Sequence, residues 1–271
     1  MKKRLITIFI HGTLPPAGVM KLPVLKNFFW CPKGLSKVSE ITQNFHIVEL
    51  ARLLCEQDSE IFDKNFFYLF GWSGSLRVKE RKKAALTLHN EISTLVKNYK
   101  EEGIDVSLRV ITNSHGGNVA LHLAEISSEN SFSIEELILI ACPVQKETAS
   151  SITHPLFKWI ISAHSHLDVI QRIDPQGIHN FLKSVHTHGL EFTVTHLSNV
   201  GPLFSARHFN PSPNLTQIHV KYPSRELLHI EFILQDYMSS LPAFIRFIET
   251  LPKETSSQEE LLYIIPPQKK D

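Results

Sequence analysis

The chain has 271 residues, 42% of them apolar, with 28 Lys plus Arg set against 27 Asp plus Glu. The near-balanced charge argues against a nucleic-acid binder, no apolar run approaches the ~20 residues of a membrane span, and three cysteines (Cys31, Cys55, Cys142) form no disulfide framework or zinc-finger spacing. These counts leave a soluble globular protein, long enough to bury a core without a staple and expected in the reducing cytoplasm.

Met1-Lys2-Lys3-Arg4 imitates the start of a secretion signal, but the apolar run Leu5–Ile10 stops at His11-Gly12 with no small-residue cleavage site behind it. Leu5–Ile10 reads instead as a buried strand of a parallel sheet, because it is β-branched and aromatic without clean alternation. Gly12–Pro32 reads as a long loop, and Ile47–Cys55 has helical spacing. Asn65–Phe70 is a second strand, ended by Gly71-Trp72-Ser73-Gly74. Glu80–Tyr99 is an amphipathic helix with Ala84, Ala85, Leu88, Ile92, Leu95 and Val96 on one face. Asp105–Thr112 is a third strand, Asn118–Ser127 a helix of small residues, and Leu137–Cys142 a fourth strand. Phe157–Ala163 and Gln217–Tyr222 are the fifth and sixth, and His229–Thr250 is a closing helix bent at Pro242.

Strands that alternate with helices predict an α/β fold, a mostly parallel central sheet with helices on both faces. Residues 1–251 read as one domain, with 169–213 as a lid or insertion and 252–271 as a tail whose apolar patch Leu261–Ile265 either docks as a strand or stays loose.

The chemistry-bearing stretch is Thr112-Asn113-Ser114-His115-Gly116-Gly117, a strand running into a sharp turn and then a helix. Such a turn lifts a serine hydroxyl above the carboxyl edge of the sheet, and the two glycines let the helix pass close behind it. The usual pattern is G-x-S-x-G; here Thr112 stands at its first position. A serine nucleophile needs a base, and His229 is the candidate because it follows the last strand and opens the closing helix; His219, inside the strand, reads as a packing residue. Asp168, after the fifth strand, is the candidate acid, with Asp174 as its competitor. The N–H of Thr13, or of Leu14, would join that of His115 in an oxyanion hole, and His11 would hold the turn. His186 and His188 read as loop histidines rather than metal ligands, His164-Ser165-His166 likewise as loop or as a second layer of contacts beside Asp168, Ser73 as a strand-end turn or a substrate contact, and Phe28-Phe29-Trp30 as core packing, an acyl pocket wall or a membrane-surface contact.

The segments IFIHGT (8–13), ITNSHGGN (111–118), LILIACPV (137–144), HSHLDVI (164–170) and LLHIEF (227–232) make the chain resemble the α/β-hydrolase superfamily, particularly its lipase-like and esterase-like members. FGWSG (70–74) is similar to a little-characterised bacterial group within it. The resemblance implies Ser114 as nucleophile, Asp168 as acid, His229 as base, Thr13 and His115 as oxyanion donors, no cofactor and no metal. It implies cleavage of a carboxylic ester, lipid-like or small, with thioester cleavage, acyl transfer and a non-catalytic binding protein as alternatives. Peripheral contact with a membrane is compatible with it, and oligomeric state is left open.

Overall fold

In successive strands, odd and even residues feed two different apolar cores. Ile6, Ile8 and Ile10 of the first strand face one core while Phe9 faces the other; Tyr68 and Phe70 oppose Phe67 and Leu69; Leu137 and Leu139 oppose Ile138 and Ile140. This is why these strands read as unbroken apolar runs: both faces of the sheet are covered. Each fully buried Ile or Leu contributes about 1.5–3 kcal/mol relative to an exposed one.

A computed structural model describes residues 3–13, 30–126, 132–168, 187, 208–252 and 260–266. The sheet has eight strands: β1 (Arg4–Ile10), β2 (Gly34–Lys37), β3 (Phe67–Gly71), β4 (Val106–Asn113), β5 (Glu136–Ile140), β6 (Ile160–His164), β7 (Leu215–Lys221) and β8 (Leu261–Ile264). Their spatial order is β2-β3-β1-β4-β5-β6-β7-β8, and every neighbouring pair is parallel except β2 with β3.

Helix α1 (His46–Gln57) buries Ile47, Val48, Leu50, Ala51 and Leu54 against one face. Helix α2 (Val78–Glu101) buries Ala84, Ala85, Leu88 and Ile92 against the other, where the short helix α3 (Gly116–Leu121) also packs. No helix among the described residues is long and apolar enough to cross a membrane.

Two features depart from the sequence reading: one strand that it did not name and one helix that it ran too long. First, the early segment contains a strand: Gly34–Lys37 pairs antiparallel with β3, and a Gly34 φ of +79° starts it in a conformation open to glycine. Second, the closing helix is not continuous. A 3-10 turn (His229–Ile233) is followed by a four-residue α4 (Gln235–Met238) and by α5 (Leu241–Glu249). Leu234 is extended, with ψ 158°, and Pro242 lies in the first turn of α5, where its missing N–H costs nothing. Pro242 therefore starts a helix rather than bending one. Residues 261–264 are a sheet strand, so the sheet reaches past residue 251.

Candidate active site

Ile10 pairs with Thr112, so the turns that end β1 and β4 lie side by side. A Cβ on Gly12 would sit 2.8 Å from Asn113 Oδ1 and 2.9 Å from Ser114 Cβ; one on Gly116 would sit 2.6 Å from the carbonyl oxygens of both Ile10 and His11. One on Gly117 would sit 2.4 Å from Cys142 Sγ. Glycine at these positions lets the two turns and α3 approach each other.

Between them, Ser114 has a φ of +50°, a left-handed conformation that costs a serine on the order of 1–3 kcal/mol. Its N–H donates to Ile140 O at 2.8 Å, and its carbonyl accepts the Gly117 N–H at 3.0 Å, which fixes the turn at both ends. Thr112, where a glycine is usual, is fully buried, and its hydroxyl donates to Ile138 O at 3.3 Å. The neighbouring strand thus satisfies the extra hydroxyl.

His229 opens the 3-10 turn after β7. Its Nε2 is 3.0 Å from Ser114 Oγ, and its Nδ1 is 2.8 Å from Asp168 Oδ2. Asp168 is fully buried four residues past β6, and its N–H donates to Ser165 O at 3.2 Å. Residues separated by 115 and 61 positions thus form a chain of hydroxyl, imidazole and carboxylate. Asp174, Leu14, His186, His188, Phe28 and Phe29 lie outside the described residues. Trp30 packs on Phe45, with ring centroids 4.0 Å apart.

His11 holds the turn that follows β1. Its Nδ1 donates to Gly12 O at 2.7 Å, so its Nε2 is the acceptor for the Trp72 N–H at 3.1 Å; Trp72 Nε1 donates back to His11 O at 2.8 Å. Burial pushes the His11 imidazole down to about 4 and keeps it neutral. Burial, with the Arg81 charge nearby, pushes His115 down to about 3. Thr13 Oγ1 is buried and has no hydrogen-bond partner among the described residues. Ser73 is exposed and accepts the Ser75 N–H at 3.4 Å, the geometry of a turn.

A parallel sheet with an antiparallel edge strand, a strained serine between β4 and α3, and a histidine and an aspartate beyond later strands define the architecture. The chain has the α/β-hydrolase fold. No family model and no curated protein matches it. Among solved structures, this chain is similar to esterase PE8 at 14% identity, over 91% of this chain and 93% of that one, with a TM-score of 0.41. It is similar to an arylesterase at 11% identity, over 98% and 68%, with a TM-score of 0.36. It is also similar to phospholipase PlaB from Legionella pneumophila in complex with thio-NAD at 16% identity, over 51% of this chain, with a TM-score of 0.32; the match spans 25% of the phospholipase's length.

One residue beside the site, Glu226, carried no sequence signal. Glu226 Oε2 accepts the Ser165 hydroxyl at 2.9 Å, the His166 N–H at 3.1 Å and His219 Nε2 at 2.7 Å. Ser165 Oγ in turn accepts the Leu227 N–H at 3.0 Å. This network joins the loop that bears Asp168 to the loop that bears His229. His219 belongs to it, rather than to the serine.

Proposed function

We propose that this chain is a serine hydrolase of carboxylic esters. The observation that carries the reading is the pair of contacts on one imidazole, 3.0 Å to Ser114 Oγ and 2.8 Å to Asp168 Oδ2. With Nδ1–H donated to Asp168, Nε2 of His229 holds the lone pair that takes the serine proton. Ser114 Oγ then attacks the ester carbonyl. The developing oxyanion accepts the backbone N–H groups of Thr13 and His115, worth several kcal/mol of barrier. His229 next gives its proton to the leaving alcohol. Water, deprotonated by the same imidazole, attacks the acyl-Ser114 ester and frees the acid and the serine.

Asp168 stays a carboxylate throughout, holding the ring's tautomer and stabilising the imidazolium. Leu167, Leu228 and Ile230, neighbours in sequence of Asp168 and His229, are exposed apolar side chains, which favours an apolar acyl group.

A fluorophosphonate probe tests the reading. Labelling of the folded chain that disappears in Ser114→Ala, together with hydrolysis of p-nitrophenyl esters by the native chain alone, is the expected result. A folded native chain that takes no label and cleaves no ester of any chain length would overturn it and favour a binding protein.

A further inference from the structure

We propose that His164, His208 and Glu260 form a site for a divalent metal ion of the zinc class at the edge of the sheet, separate from the residues of the proposed hydrolysis. Their ligand atoms come from three distant segments: the end of β6, the stretch before β7 and the residue that precedes β8. His164 Nε2 lies 2.9 Å from His208 Nε2 and in direct contact with Glu260 Oε1, which is 3.3 Å from His208 Nε2. Zinc bonds of about 2.0–2.1 Å in a tetrahedron put neighbouring ligand atoms about 3.3 Å apart. Two imidazoles and one carboxylate are a zinc donor set that leaves a position for water, and the His208 side chain, 48% exposed, opens the site to solvent.

With Glu260 ionised, protons on the two imidazoles cannot make all three contacts favourable at once. Three atoms touch pairwise, and one of them is a carboxylate oxygen that only accepts. If both nitrogens are protonated and donate to Glu260, their N–H groups face each other. If only one is protonated, the other nitrogen's lone pair faces the carboxylate. In each case one contact sets like against like, whereas a cation at the centre makes all three favourable. The neighbouring group of His166, His219 and Glu226 differs: there three donors already point at one Glu226 oxygen.

The ligands are held in place. His164 pairs in register with His219 across β6 and β7. The Gln217 side chain grips the Phe209 backbone, accepting its N–H at 2.9 Å and donating to its carbonyl at 3.3 Å, which fixes the residue next to His208. The other Glu260 oxygen is 3.4 Å from His166 Nε2, so Oε1 is the oxygen turned to the ion.

The test is titration of the chelator-treated full chain with Co²⁺ as a coloured stand-in, followed by Zn²⁺. The expected result is one equivalent of Co²⁺ with the strong visible bands of low coordination, bleached by Zn²⁺, and a rise in melting temperature with Zn²⁺. His208→Ala and Glu260→Gln, each folded by circular dichroism, weaken binding by more than ~10²-fold, since even second-shell losses cost 10–100-fold. Absence of saturable binding to the native chain, or binding that survives in both variants, would overturn the proposal. Survival in both with loss in His219→Ala would overturn it by moving the ion to the neighbouring group.

Discussion

The Ser165 hydroxyl donates to Glu226 at 2.9 Å and accepts the Leu227 N–H at 3.0 Å, so one side chain binds the end of β6 to the segment that delivers His229. On the far side of that segment, Glu231 accepts the Leu228 N–H at 2.7 Å and is gripped by Arg225 at 2.5 and 2.8 Å. His229 is thus set from both sides. Glu226→Ala is expected to lower kcat for ester hydrolysis by ~10²-fold with KM near its native value, because misplacement by about 1 Å costs that much. Glu226→Gln, which keeps an acceptor for Ser165, should restore part of the loss. A Glu226→Ala enzyme with native kcat would show that the network is structural only.

His229→Ala should lose at least ~10³-fold in turnover while keeping its fold, and Asp168→Asn ~10⁴-fold, because an amide cannot hold the ring in the required tautomer. Steady-state ester hydrolysis checks both, with circular dichroism as the control for folding. Full activity in either would move the role elsewhere, to His219 first in the case of the base.

The glycines behind the serine should fail in different ways. Gly117→Ala meets a side chain, with Cys142 Sγ 2.4 Å away, so a destabilisation of about 1–3 kcal/mol should be largely relieved by adding Cys142→Gly. Gly116→Ala meets the Ile10 and His11 carbonyl oxygens at 2.6 Å, and no side-chain change can move those. Denaturant midpoints of the single and paired variants measure the contrast.

Arg109, only 2% exposed, holds Glu136 at 2.6 Å and Glu249 at 2.9 Å. Glu136→Ala leaves this buried guanidinium short of its closest counter-charge and should destabilise by about 3–5 kcal/mol. Urea unfolding reads it directly; a loss below ~1 kcal/mol would contradict the assignment.

Acid should weaken the fold earlier than carboxylate titration alone requires. His11 and His115 are neutral in the folded chain, pushed by burial to about 4 and about 3 from 6.5. Between those values the unfolded chain binds protons that the folded chain refuses, so stability is full above about pH 6.5 and falls as pH drops below it. Burial alone would raise Glu226, but its hydrogen bonds from His219, Ser165 and the His166 N–H hold it below the ordinary carboxylate value. Its contribution is therefore present above pH 4.5 and lost further down. Denaturant midpoints at pH 7, 6, 5 and 4 should fall at each step. A flat profile between pH 7 and 5 would contradict the neutral buried histidines.

The turn at Ser114 was legible because its residue pattern is local: a run of β-branched residues, a serine at the bend and two glycines directly after His115. The same locality made α1, α2 and most strands readable. It failed at β2, whose Gly34–Lys37 gains its strand character only from its pairing with β3, and at the closing helix. There the helical periodicity ran on through Leu234, but the chain turns extended at that residue and resumes as two separate helices.

The sequence by itself determined the sheet with two covered faces and the serine at its turn, since unbroken apolar runs and turn chemistry act between neighbours along the chain. Position after the last strand already singled out His229 among fifteen histidines; only the tertiary structure decided that Ser165 and Glu226 join the two loops, and that His164, His208 and Glu260 converge. Those choices depend on strand register and loop path across 44 to 96 positions, and no local pattern of residues encodes a meeting at that separation.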